Sequence, residues 1–268
     1  MFNNKVFLLG GTGFLGSNII KTKPDNINLW FSSRTQDKDL NDKHIELDIV
    51  DLEKFREVIK KINPRIIIHC ARLDPFDNDP LKAEEITKNL VKVINDFSIK
   101  LLYISTDAVF DGQKGNYKEN DIPNPVTDYG KAKLAAENVI RNNGNNYIII
   151  RTANIYGQNN GVWDKRINYL LDEINSQKIV YRFDDVYRSF TLVDNLAKSC
   201  WKLVNSDFNG TINITGDRKS FFNFSNEIVQ KLKVNSDLIK GISFKENNTN
   251  IAIDTSLDTS LAKSLNLL

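Results

Sequence analysis

Lys5-Val-Phe-Leu-Leu-Gly-Gly-Thr-Gly-Phe-Leu-Gly16 is the stretch on which the fold turns. Its first five residues are an apolar run stopped by glycine, the pattern of a short strand buried in a parallel sheet. Ser17-Asn-Ile-Ile20 then begins a helix. A strand running through a glycine turn into a helix is the context that gives Gly-x-x-Gly-x-x-Gly its meaning. Gly10 makes the tight turn, Gly13 lets the backbone approach a pyrophosphate, and Gly16 lets the helix pack close to the sheet. The helix N-terminus offers unpaired N–H groups and the positive end of its dipole to phosphates. The competing reading is a glycine-rich turn with no ligand.

The chain downstream repeats the alternation. Ile27-Asn-Leu-Trp-Phe31 is the next strand and ends in Ser32-Ser33-Arg34-Thr35. An acidic residue here would take the ribose hydroxyls of NAD; Arg34, with Ser32 and Ser33 as donors, suits a 2′-phosphate and so favours NADP. A solvated loop arginine is the alternative. His44-Ile-Glu-Leu-Asp48 is strand three, which sets Asp48 and Ile49 beside the adenine. An amphipathic helix over 51–61 buries Leu52, Phe55, Val58, Ile59 and Ile62. Arg65-Ile-Ile-Ile-His-Cys70 is strand four, with His69 at the edge of the core, and a helix covers 80–97. Strand five, Lys100-Leu-Leu-Tyr-Ile-Ser-Thr-Asp107, presents Ser105, Thr106 and Asp107 at its carboxyl end, where open α/β sheets place ligands. Thr106 is set to offer a hydroxyl to a carbonyl oxygen. Tyr147-Ile-Ile-Ile-Arg151 is strand six.

After Gly157 the regular alternation is lost. A helix is expected over 161–175, with Trp163, Ile167, Leu170, Leu171 and Ile174 inward, then a strand over 178–182. Another helix is expected over 190–204, a strand over 211–215, and a last helix over 225–232. The pattern predicts an α/β fold, a doubly wound parallel sheet with a smaller C-terminal lobe. Residues 1–155 plus about 190–215 form the dinucleotide-binding domain, and about 156–189 and 216–268 the substrate lobe. The ligand cleft lies between them.

Asp128-Tyr129-Gly130-Lys131-Ala132-Lys133 follows a loop carrying Pro123 and Pro125 and opens a helix. Tyr129 and Lys133 share one face of it. A phenol ionises near ~10, and an ammonium one turn away favours the phenolate, making the tyrosine usable in proton transfer.

Composition narrows the class without naming a ligand. A 41% hydrophobic and 26% charged content is ordinary for a globular protein, and a net charge of +2 argues for neither nucleic acid nor membrane. Cys70 and Cys200 stand far apart in apolar runs, as reduced core cysteines do. Two His and two Cys at no metal-like spacing give no zinc site. With a strand starting at Lys5 and no long apolar segment, the expectation is a cytoplasmic protein without signal peptide or membrane span.

Three motifs now carry a family resemblance: Gly10-Gly-Thr-Gly-Phe-Leu-Gly16, Ser105-Thr-Asp-Ala-Val-Phe-Asp-Gly112 and Tyr129-Gly-Lys-Ala-Lys-Leu-Ala-Ala-Glu137. Together they resemble the extended short-chain dehydrogenases/reductases, and the middle one is similar to that of the dTDP-4-dehydrorhamnose reductase branch. Arg188-Ser-Phe-Thr-Leu-Val-Asp-Asn-Leu-Ala197 and Ser256-Leu-Asp-Thr259 are similar to later segments of that branch. The resemblance implies a catalytic set of Thr106, Tyr129 and Lys133. Tyr129 would donate a proton to a C4 carbonyl oxygen as NADPH delivers hydride. Lys133 would hold the nicotinamide ribose and depress the Tyr pKa, and Thr106 would hydrogen-bond the reacting oxygen.

The same resemblance implies which residues hold the cofactor. They are Gly10, Thr12, Gly13, Phe14, Leu15 and Gly16 in the turn, then Ser33, Arg34, Asp48 and Ile49. Cys70, Ala71 and Arg72 follow strand four, and Ser105, Tyr129 and Lys133 complete the set. Substrate contacts would come from Thr106, Asp107, Val109, Phe110, Tyr129 and Asn154. Arg188 would pair with a substrate diphosphate, or else form a surface ion pair with Asp184 and Asp185. NADP, as NADPH, is the preferred cofactor and NAD is still admitted; no metal is called for. The expected partner is a nucleotide sugar, with a homodimer left open. In one respect the chain departs from the branch: Ala71-Arg72-Leu73-Asp74 brings charge towards the cleft.

Three activities compete. One is NADPH-dependent reduction of a 4-keto nucleotide-activated deoxysugar for polysaccharide synthesis. Another is a nucleotide-sugar epimerase or dehydratase that retains NAD, and the third is a non-catalytic NADP-binding regulatory subunit. Arg34 favours the first over the second. The intact Thr/Tyr/Lys set favours it over the third.

Overall fold

A computed structural model describes residues 4–35, 43–73, 76–244 and 252–268; Asp74 lies outside them. The chain opens with β1 (Lys5–Leu9), α1 (Phe14–Lys21), β2 (Asn28–Ser33) and β3 (His44–Glu46). α2 (Leu52–Ile62), β4 (Ile66–His69), α3 (Pro80–Asp96), β5 (Lys100–Thr106), α4 (Asp128–Asn143) and β6 (Tyr147–Thr152) follow. Three two-residue strands come next, β7 (Ile155–Tyr156), β8 (Gln158–Asn159) and β9 (Val162–Trp163), and then α5 (Lys165–Asn175). β10 (Val180–Phe183), β11 (Tyr187–Ser189), β12 (Thr191–Leu192) and α6 (Val193–Val204) lead to β13 (Gly210–Asn213). β14 (Arg218–Ser220), α7 (Phe221–Lys231), β15 (Ile239–Ile242) and α8 (Ser260–Ser264) complete the chain.

Seven strands form one sheet in the order β13-β6-β5-β4-β1-β2-β3, and every pairing is parallel. Chain order reverses between β1 and β4, which opens a crevice at the carboxyl ends of those two strands. Alternation along β1 shows how the layers form. Val6 and Leu8 face a core shared with Leu15 and Ile19 of α1 and Trp201 of α6. Phe7 and Leu9 face the opposite core, with Phe55 of α2, Ile94 of α3 and Ile140 of α4. Helices on both faces leave the central strands without a wet side, so they read as unbroken apolar runs. A smaller lobe gathers around Leu170, Ile174, Val180, Val229 and Ile239, and around Phe190 and Phe224, whose rings stack 3.8 Å apart.

Three helices of the C-terminal half start elsewhere than expected, the first two because a strand pairing takes residues from the helix and the third because a cap extends it. The helix expected over 161–175 starts at Lys165. Gln158-Asn159 pairs antiparallel with Val162-Trp163, and Asp164 then caps the helix by accepting from Arg166 N at 3.0 Å. The helix expected over 190–204 starts at Val193, because Thr191-Leu192 pairs with Ile155-Tyr156. The helix expected over 225–232 begins four residues sooner, where Ser220 caps Asn223 N at 3.1 Å. One part of 216–268 also leaves the lobe: Ala262 and Leu267 join the sheet core beside Trp201. Leu257 of the same tail is covered elsewhere, against Val109, Phe110 and Tyr117.

A buried polar cluster crosses the second layer. Glu137 of α4 is fully buried and accepts from Ser105 Oγ of β5 and from Nε and Nη2 of Arg151 of β6, at 3.1 and 2.8 Å. Arg141 reaches the same carboxylate one helical turn on. Burial pushes the Glu137 carboxyl up, but Arg151, Arg141 and Ser105 prevail and hold it below the ordinary glutamate value. A carboxylate with a lowered pKa contributes stability that is present above the unfolded value and lost as pH falls through the folded one. Glu137→Ala leaves the Arg151 guanidinium buried without its partner and is expected to cost about 3–5 kcal/mol in urea unfolding. Replacing both, as Glu137→Leu with Arg151→Met, should recover much of that loss.

Candidate active site

The glycine turn sits where β1 gives way to α1 at the sheet's switch point. A Cβ on Gly16 would stand 2.1 Å from the Gly10 carbonyl oxygen, so only glycine lets the helix approach the turn this closely. Beside the turn lies a cavity of about 190 Å³ walled by Gly10, Thr12, Gly13, Arg34, Asp48 and Ile49. Ser32 and Ser33 also line it. The Ser33 hydroxyl is committed, donating to Thr35 O at 2.7 Å and lying 2.7 Å from His44 Nε2.

Cys70, Ala71, Arg72 and Leu73 form a wall shared with a second cavity of about 450 Å³. Leu15, Ser105, Thr106, Tyr129, Lys133 and Asn154 line this one. Tyr129 and Lys133, one turn apart on α4, thus face the end of β5 across the crevice. Thr127 caps α4 by accepting from Gly130 N at 3.1 Å. Gly130 is the reason the helix end comes so near: a Cβ there would stand 2.1 Å from Ala108 O. The signal was present in the sequence, since glycine in a helix costs about 1 kcal/mol against alanine and calls for a compensating contact.

The electrostatics depart from one expectation. Lys133 Nζ donates to Ile104 O at 2.7 Å and stands 4.2 Å from the centroid of the Tyr103 ring. Burial lowers its pKa to about 8. Lys133 does not depress the Tyr129 phenol, whose pKa is raised. Burial is the first cause, with the Asp77 and Asp107 carboxylates next; Arg72 and the Thr106 hydroxyl pull the other way. At neutral pH the phenol therefore keeps its proton, which makes it an acid rather than a base. Cys70 is no nucleophile, because burial pushes its thiol up to about 12 and its Sγ donates to Leu9 O at 3.2 Å. Burial takes His69 down to about 3, so its imidazole is neutral.

Several expected site residues lie elsewhere. Val109 and Phe110 are fully buried against Tyr117 and Leu257, not in the cleft; Phe110 stacks on Tyr117 at 4.1 Å. Asp107 lies beneath Thr106, accepting from its Oγ1 at 3.1 Å and from Thr255 Oγ1. Arg188 turns to Asp107 at 3.9 Å and donates to Tyr187 O and Ala252 O at 2.6 and 2.8 Å. It forms no pair with Asp185, which accepts from Ser243 Oγ and Phe244 N. Buried Asp107 needs a counter-charge, and Arg188 is the one within reach. Phe14 lines neither of these cavities but a third, with Trp163, and Ser105 gives its hydroxyl to Glu137.

Sequence reading missed two residues. Asp77 takes Arg72 Nε and Leu73 N, both at 2.6 Å, and so holds the shared wall. Arg166 donates from Nη1 to Asn154 Oδ1 at 2.9 Å and from Nη2 to Ile155 O, at the cleft rim. Arg166 reaches partners eleven and twelve residues back, beyond any local pattern.

The family described as the RmlD substrate binding domain matches residues 4–261. Methionine adenosyltransferase 2 subunit beta of Bos taurus is 27% identical over 230 residues, 81% of this chain and 68% of that protein. A probable low-salt glycan biosynthesis reductase of Haloferax volcanii is 26% identical over 219 residues, 78% of this chain and 73% of that protein. A crystal structure of dTDP-4-dehydrorhamnose reductase from Bacillus anthracis in complex with NADP superposes with a TM-score of 0.83 at 23% identity. It covers 100% of this chain and 94% of its own. A hypothetical dTDP-4-dehydrorhamnose reductase from Sulfolobus tokodaii superposes at 0.80 with 27% identity, over 97% and 94% of the two chains.

Gly130→Ala forces the start of α4 away from Ala108 and carries Tyr129 with it. Steady-state turnover is expected to fall by roughly a hundredfold, while circular dichroism still reports a folded chain.

Proposed function

The chain belongs to the RmlD substrate binding domain family, and on that premise we propose that it is an NADPH-dependent reductase of a 4-keto nucleotide-activated deoxysugar, serving polysaccharide synthesis. The observation that carries this reading is that Thr106, Tyr129 and Lys133 line one cavity, which shares its Cys70-to-Leu73 wall with the cavity at the glycine turn. The names of the Bacillus and Sulfolobus structures and of the Haloferax relative support it.

The residues present fit a dinucleotide. The Gly10–Gly16 contact leaves no room for a side chain and keeps backbone next to the cavity, so the turn and the start of α1 would hold the pyrophosphate. Arg34 would take a 2′-phosphate, with Asp48 and Ile49 on the adenine side. Lys133 would hold the nicotinamide ribose. When bound, NADPH supplies the hydride. Tyr129 gives its proton to the carbonyl oxygen, so that C=O becomes CH–OH, and Thr106, its hydroxyl turning from Asp107 Oδ1, steadies that oxygen as charge develops. A phenol whose pKa is raised suits this direction, because net reduction consumes a proton and alcohol oxidation would need phenolate.

The lobe, from about 156–189 and 216–268 less the last turn, would hold the nucleotide. Its cavity of about 300 Å³ is lined by Tyr156, Tyr169, Phe190, Phe221 and Phe224; Phe190 and Phe224 stack on each other, and the exposed Tyr169 offers a face to a base. A nucleotide-sugar substrate and NADPH support a cytoplasmic location as part of this reading; among the described residues no helix is long and apolar enough to cross a membrane. The relatives named methionine adenosyltransferase 2 subunit beta favour a second reading, a regulatory subunit without turnover.

Screening NADPH oxidation against 4-keto sugars linked to dTDP, UDP, GDP and CDP decides between these; no oxidation of any would remove the reductase. Tyr129→Phe is expected to lower turnover by roughly a hundredfold or more with NADPH affinity kept. NADPH should bind more tightly than NADH, and equal affinity would overturn the role given to Arg34. Lys133 works as an ammonium, so NADPH affinity should fall as pH rises through about 8. Lys133→Met should abolish that dependence.

A further inference from the structure

We propose that Arg166 is the residue that grips the substrate's diphosphate, an inference that rests on the nucleotide-sugar reading above. A nucleotide sugar has three parts, and two of them have rooms here. The sugar's keto carbon belongs beside Tyr129, in the larger cavity. The flat base belongs among the rings of Tyr156, Phe190, Phe221 and Phe224. The two phosphates that join them must cross from one room to the other. Among the described residues lining the two cavities, Arg166 is the one common to both.

Its bonding leaves the right groups available. Nη1 donates to Asn154 Oδ1 at 2.9 Å, Nη2 to Ile155 O, and Nε stands 3.5 Å from Asp164 Oδ1. A guanidinium has five N–H groups, so one hydrogen on each terminal nitrogen remains for an anion. Each of these two donors can meet a phosphate oxygen. The nearby carboxylate, Asp164, takes Nε together with Arg166 N and Gly157 N. It therefore orients the guanidinium from behind. Asn154 holds the other side from a left-handed backbone conformation, φ +38°, which asparagine tolerates better than most residues. Lys165 and Arg182 line the aromatic cavity and add positive charge along the same path.

The other candidate cation is already spent. Arg188 is half-buried and bonded to Asp107 and to the carbonyls of Tyr187, Ala252 and Ile253. Recruiting it would strip Asp107 of its counter-charge. Arg166, with about half of its side chain exposed, meets an anion without breaking a buried pair.

The test titrates dTDP, UDP, GDP and CDP calorimetrically into the NADPH-loaded full chain, comparing wild type with Arg166→Ala and Arg166→Lys. The tightest diphosphate should weaken roughly tenfold to a hundredfold in the alanine variant, with NADPH affinity unchanged. Lysine should restore part of it, having the charge without the fork, and the corresponding monophosphate should lose less. Unchanged diphosphate affinity in Arg166→Ala overturns the inference and leaves the reductase reading standing. Parallel loss of NADPH affinity also overturns it, by showing a structural role. If wild type binds none of the four, the nucleotide-sugar reading falls and this inference falls with it.

Discussion

A carboxylate with no exposed surface, Glu137, governs where everything at this site stands. Taking such a charge out of water is tolerable only if its partners come with it. Ser105 on β5 and Arg151 on β6 are those partners. The pairing therefore fixes the distance and rotation of α4 against two strand ends at once. Tyr129, Lys133 and Glu137 lie at four-residue steps on one helix face. The buried anchor at one end of that row sets the phenol at the other end beside Thr106. Proton transfer needs this kind of rigidity, because small displacements of a reacting group are expensive.

Charge around the cleft is distributed by the same economy. Asp107 is buried under Thr106, and it takes Arg188 and Thr255 to remain there. That removes from the substrate side an arginine and an aspartate which motif reading had placed in contact with ligand. It also puts a carboxylate close enough to the phenol to help keep it protonated. Lys133, drawn to the Ile104 carbonyl and the Tyr103 ring, does not offset that effect. The cleft so built favours giving a proton to an oxygen.

Much of the fold was legible because its signals are local. Unbroken apolar runs such as Ile66-Ile-Ile-His69 and Lys100-Leu-Leu-Tyr-Ile104 can be covered only by helices on both faces, and a glycine turn between strand and helix has few uses. The starts of α5 and α6 were less legible, since two-residue strands such as Thr191-Leu192 depend on a partner thirty-odd positions away. Val109 and Phe110 share a motif with Thr106, yet their packing against Leu257 depends on where the C-terminal tail returns.

By itself the sequence determined the doubly wound sheet, the phosphate-suited turn, and the helix face that carries Tyr129 and Lys133. Each follows from a period or spacing within a few residues. Tertiary structure alone decided the ionisation of Tyr129, the withdrawal of Arg188 and the position of Arg166 between two cavities. Burial and counter-charge are properties of what surrounds a residue. Asp77, Asp107 and Asn154 become neighbours of these groups only when distant elements pack together.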